Sequence, residues 1–150
     1  MSRLFLCTLV FGLMLVGNMD AEGVFADDDM QAIIGNWILS RGEAGGRVFS
    51  ADEVKQLSAI MGNGTHTILQ GDKVLHKGTH KMAATKSPKQ VDAIDSVGTT
   101  VGATLGIYEI TADGSFRVCF APIGKDRPTT FTTTAENGNF VHLWQRAQAK

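Results

Sequence analysis

Leu105-Gly106-Ile107-Tyr108-Glu109-Ile110, then Ala112-Asp113-Gly114, then Ser115-Phe116-Arg117-Val118-Cys119-Phe120 is the stretch from which the fold is read. It has the strongest two-residue periodicity in the chain and reads as a β-hairpin. Three loop residues ending in glycine suit a type I turn whose last residue is left-handed, the G1-bulge loop. Thr111 then faces Ser115, Ile110 faces Phe116, Glu109 faces Arg117 and Tyr108 faces Val118. The two charges meet on one side, and Tyr108, Ile110, Phe116, Val118 and Phe120 share the other. A two-residue Asp113-Gly114 turn would instead set Glu109 among apolar side chains, and a buried carboxylate without a partner is costly. The three-residue loop is therefore expected.

On either side of this hairpin, short periodic runs alternate with glycine-rich turns. Residues 35–40 read as a first strand, ended by the glycine loop at 42–46. Ser50-Ala51-Asp52-Glu53 fits a capping box, and Val54, Leu57 and Ile60/Met61 follow at helical spacing, so one amphipathic helix is expected up to Gly62. Residues 65–70 and 73–82 form a second hairpin around Gly71-Asp72, with Val74, His76, Gly78, His80 and Met82 on one face. A proline-bent segment at 86–92 enters a strand running to about Ile94, and 98–104 reads as a flexible, small-residue loop. Beyond the central hairpin come a loop at 122–128, a β-prone threonine run at 129–134, a turn at 136–139 and a last strand at 140–146. The expected fold class is all-β, with about eight sequential antiparallel strands and one short helix after the first. Such a sheet removes its edges most simply by closing into an up-and-down barrel. A barrel of that size is filled by side chains or leaves room for one small ligand.

Residues 1–26 have the layout of a secretory signal: Arg3, an apolar run over 4–16, a break at Gly17-Asn18, and Val24-Phe25-Ala26 before Asp27. The apolar run is shorter than the roughly 20 residues of a transmembrane helix. An exported protein is expected, with one domain over 27–150 and no membrane insertion once the signal is removed. Taking Arg3 from the 14 basic side chains, and Asp20 and Glu22 from the 15 acidic ones, leaves 13 of each. That balance argues against a nucleic-acid partner, which calls for a basic face. Asp27-Asp28-Asp29 reads as a solvated leader, because adjacent carboxylates without a glycine-containing loop make a poor calcium cage. Cys119 is the one cysteine beyond the signal, so the domain has no internal disulfide.

Several short motifs occur in one order: Gly35-x-Trp37, Gly78-Thr79-His80-Lys81, Lys86-x-Pro88-Lys89 with Asp92, Gly106-Ile107-Tyr108-Glu109, Arg117-Val118-Cys119-Phe120-Ala121, and Arg127-Pro128-Thr129 leading to Phe131. In these the chain resembles an uncharacterised lipocalin-like domain family of planctomycete bacteria, over nearly the whole of 27–150. The resemblance implies a small calycin-type barrel in an extracytoplasmic setting, and it brings no activity, substrate or catalytic residues. The family usually has an aromatic where this chain has His80. The wider lipocalin resemblance implies that Trp37 sits at the closed end of the barrel under an arginine from the end of the chain, for which Arg146 is the candidate.

No catalytic constellation is visible. The serines and threonines lie in no strand-to-helix elbow, and no His-x-Glu or His-Glu-x-x-His pattern occurs. His76 and His80 share a strand face, but four residues of strand span about 13 Å. That is too far for one ion with Zn–N bonds of about 2.0–2.1 Å, unless His66 or His142 approaches from another strand. No cofactor and no metal are expected. Cys119 faces away from the apolar side with no base beside it, so an inert thiol is expected. Arg127 either clamps a ligand anion or anchors its own loop to backbone carbonyls or Asp126; the second reading is preferred. Two functional classes remain. One is a barrel holding a small apolar molecule, lined in part by Tyr108, Phe116, Val118 and Phe120. The other is a filled barrel whose outer face or rim meets another exported protein.

Overall fold

The computed structural model describes residues 28–98 and 101–148. The expected secretory signal, over 1–26, lies outside the described residues. A helical turn, α1, covers 28–32, followed by β1 (Gly35–Ala44), β2 (Arg47–Val48), α2 (Ala51–Gln56), β3 (Leu57–Met61), β4 (Thr65–Gln70) and β5 (Lys73–Ala83). The chain continues through β6 (Lys89–Gly98), β7 (Gly102–Ile110), β8 (Phe116–Phe120) and β9 (Phe140–Arg146). Every neighbouring pair is antiparallel, in the order β1-β3-β4-β5-β6-β7-β8-β9, and β9 pairs back onto β1. Eight strands therefore close into a barrel, with β2 folded back as a two-residue arm on the end of β1. No helix among the described residues is long and apolar enough to cross a membrane.

The central hairpin has the register its loop chemistry dictates. Ile110 pairs with Phe116, Glu109 with Arg117, Tyr108 with Val118 and Ile107 with Cys119. Gly114 takes φ 81°, and Asp113 accepts from both Thr111 Oγ1 and Ser115 N, which holds its carboxyl down at about 2. Glu109 and Arg117 meet at 3.1 Å on the outer side.

Three segments differ from the sequence reading. The helix capped by Ser50 has the expected box, with Glu53 reaching back to Ser50 N at 2.7 Å, but it stops at Gln56. Residues 57–61 form β3 instead of its last turns, because Leu57, Ala59 and Met61 also satisfy a period of two. Ala59 and Met61 are buried between β1 and β4, while Ile60 faces solvent. Six residues of isolated helix carry little cooperativity, so backbone pairing on both sides decides the outcome. The threonine run at 129–134 is not a strand; it crosses the outside of the barrel, and Phe131 packs on Ile107, Cys119 and Val141. β6 and β7 are longer than expected, taking up Gly98 and Gly102–Thr104 from the predicted loop.

One end of the barrel is packed shut. Ile33, Trp37, Leu39, Ala59, Met61, Val91, Tyr108, Phe116, Val118 and Trp144 form its core. Trp37 is 1% exposed, and its Nε1 donates to Ile33 O at 2.8 Å. α1 seals this end through Asp29, which accepts from Tyr108 OH and Lys89 Nζ, both at 2.7 Å. Asp29 is thus a structural anchor and not part of a solvated leader.

Candidate binding cavity

The other half of the barrel is hollow. A cavity of about 550 Å³ runs from the core toward the end where β5 begins and β6 finishes. Its walls come from alternate residues of most strands, because the pleat turns every second side chain inward. On β8 these are Phe116, Val118 and Phe120; on β9, Phe140, His142 and Trp144; on β6, Val91, Ala93 and Asp95. Ile33 contributes from below, and Phe49, in the connection leading to α2, also lines it.

Of the four residues expected to line the interior, the structure places Phe116, Val118 and Phe120 at the cavity. Tyr108 faces inward but does not line it, which corrects that expectation. It lies in the closed half with its ring 6.0 Å from Phe116, and its hydroxyl is used by Asp29. Burial, with the Asp29 carboxylate beside it, drives the phenol's pKa upward, so it stays a donor. Trp37 and Arg146 pair across the β1–β9 seam, and the guanidinium carbon sits 4.5 Å from the indole centroid. Arg146 also donates to the carbonyls of Ala32 and Ile34, so it binds the end of α1 and the residues after it as well as the indole. This pair lies at the closed end.

The chain has four histidines, and all four line the cavity. His66 Nε2 lies 2.7 Å from Asp95 Oδ1; since a carboxylate only accepts, the imidazole donates there. His66 Nδ1 lies 3.4 Å from His80 Nδ1, and the two rings stack with centroids 5.6 Å apart. His76 Nδ1 is 3.3 Å from Asp95 Oδ2, without the alignment of a hydrogen bond. Burial, and then His66, hold His80 down at about 4, and its Nε2 is buried without a partner among the described residues. Burial, and then His76, hold His142 down at about 4; its ring sits among Phe49, Phe140 and Trp144. Both are therefore neutral imidazoles at neutral pH.

Gly78 makes the His66–Asp95 pair possible. His66 on β4 is opposite Gly78 on β5, which in turn is opposite Asp95 on β6. The missing side chain leaves the imidazole free to pass over the intervening strand. A register shift between Lys77 and Gly78 brings β6 so close that a Cβ at Gly78 would stand 1.9 Å from Ile94 O. The sequence reading kept Gly78 on the inward face but ended the next strand at about Ile94, one residue before Asp95. The inward alternation Val91, Ala93, Asp95 was the available signal.

No group of three His, Cys, Asp or Glu among the described residues is arranged to hold a metal ion. His76 and His80 face inward together but engage different neighbours, Asp95 and His66. Arg127 donates to the carbonyls of Gly106 at 2.7 Å and Val91 at 3.2 Å and pairs with Asp92 at 2.7 Å. It anchors its loop to the barrel wall, with Asp92 in the place considered for Asp126. Cys119 is fully buried in the outer cluster, and desolvation pushes its thiol up to about 11.

Fold and cavity together define the class: a closed eight-stranded antiparallel barrel, packed at one end and hollow at the other. No family model, curated protein or solved structure matches the chain.

Proposed function

We propose that this chain is an exported, lipocalin-like barrel that binds a small, mostly apolar molecule in its interior. The observation that carries the reading is the cavity of about 550 Å³, which lies within the size range of small-molecule pockets. Its lining also has the usual composition of such pockets, mainly aliphatic and aromatic walls with a few convergent polar groups. The signal-like residues 1–26 and the motif resemblance support export and the lipocalin-like assignment. The alternative, an interaction module, rested on a filled barrel, and a hollow interior speaks against that premise.

The test is native mass spectrometry of protein purified from its own host envelope, paired with Nile red titration of the emptied protein. A retained small molecule, and dye fluorescence abolished by the cavity-filling change Val118→Trp in a folded variant, are the expected results. Protein that carries nothing, and dye binding indifferent to Val118→Trp, would overturn the reading.

A further inference from the structure

Among the described residues Asp95 is the one carboxylate of the cavity wall, and no lysine, arginine or glutamate lines it. That carboxylate is only 16% exposed and is approached by one imidazole on each oxygen, His66 at 2.7 Å and His76 at 3.3 Å. An ionised carboxylate offers about four lone-pair positions, so acceptor capacity remains on both oxygens. Bringing an ion into apolar surroundings costs several kcal/mol unless a counter-charge meets it. Asp95 offsets that cost for a cation and adds to it for an anion. Phe116, Phe120, Phe140 and Trp144 are also part of the wall, and an aromatic face attracts a cation that reaches it. His80 and His142, neutral through burial, add no positive charge that would reverse the preference.

We propose that the cavity recognises an amphipathic amine: an apolar chain or ring system bearing one protonated amino group that docks at Asp95, with fatty acids and other apolar anions disfavoured. This inference rests on the small-molecule reading above and specifies the polar head of the occupant. Gly78 belongs to the same device, since it lets His66 reach across β5 and hold the carboxylate in the wall.

Three probes of one chain length separate the two readings: decylamine, decanol and decanoate, titrated calorimetrically into the protein at pH 8, above the range in which free imidazole titrates. Decylamine binds tightest, at least about tenfold over decanoate, with decanol between them, as expected for a charge-assisted contact. Asp95→Asn removes the advantage of decylamine over decanol, and circular dichroism shows that the variant is folded. If decanoate binds as well as decylamine, or if Asp95→Asn leaves the ratio unchanged while decanol still binds, the amine inference falls and the cavity reading stands. If none of the three binds, both fall.

Discussion

Trp37→Ala tests the seam on which the barrel depends. The indole is 1% exposed, packs 6.0 Å from Phe116, donates to Ile33 O and lies beneath the Arg146 guanidinium. Deleting a buried tryptophan costs about 3–5 kcal/mol through lost transfer energy and the void left behind. The stranded Ile33 carbonyl and the lost cation–π contact place this site in the upper part of that range. Against a total stability of about 5–15 kcal/mol, such a loss is roughly a quarter of the whole or more. The expected drop in melting temperature is on the order of 15 °C. Thermal unfolding followed by circular dichroism measures that shift, and urea unfolding measures the free-energy loss directly. Trp37→Phe, which keeps a ring and loses the N–H, costs roughly 1–2 kcal/mol. Arg146→Leu, combined with Trp37→Ala in a double-mutant cycle, gives a coupling of about 0.5–1 kcal/mol. A Trp37→Ala change below about 1 kcal/mol, or no coupling, would refute the assignment of this pair as the closing contact.

Three further outcomes are expected. Gly78→Ala drives a methyl group into Ile94 O and separates His66 from Asp95, so it destabilises by roughly 2–3 kcal/mol or more in urea titration; near-neutrality would contradict the close approach. Stability falls as pH is lowered from about 6.5 to about 4, because the unfolded chain protonates His80 and His142 in that window while the folded one keeps both neutral; the slope is about 1.4 kcal/mol per pH unit for each histidine, and His142→Phe lowers it. Cys119 reacts with thiol reagents only as fast as the protein opens, since its pKa near 11 leaves little thiolate at neutral pH; rapid stoichiometric labelling of native protein would argue against the buried outer cluster.

The residues that made the fold legible were those whose local chemistry allows one answer. Asp113-Gly114 with Ser115 sets the hairpin loop, the loop sets the parity, and parity sends Phe116, Val118 and Phe120 inward and Cys119 outward. Leu57-Ser58-Ala59-Ile60-Met61 allowed two answers, because its apolar residues satisfy helical and strand spacing alike; only the presence of β1 and β4 on either side decides. Asp29 looked solvated because its partners, Lys89 and Tyr108, lie 60 and 79 residues away. The polar pole of the cavity was hidden for the same reason. Gly78 and His76 were visible on one strand, but His66 and Asp95 meet over that strand from its two neighbours. Hollowness was not legible at all, since it depends on the summed bulk of side chains from every wall.

The segment at 121–139 gives the barrel two unlike sides. Behind β7, β8 and β9, Phe131 covers Ile107, Cys119 and Val141, and Arg117 lies 4.4 Å over the Phe131 ring, so this part of the wall is sandwiched between apolar layers. Among the described residues the β4–β6 part is a single leaf, interrupted by two register shifts, with Lys77, Thr79, Lys81 and Ile94 exposed on its outer surface. Local opening follows the thinner wall, so backbone amides of β4–β6 exchange with solvent before those of β7–β9. The compliant leaf is also the one that carries Asp95, so local opening there uncovers the polar pole of the cavity first.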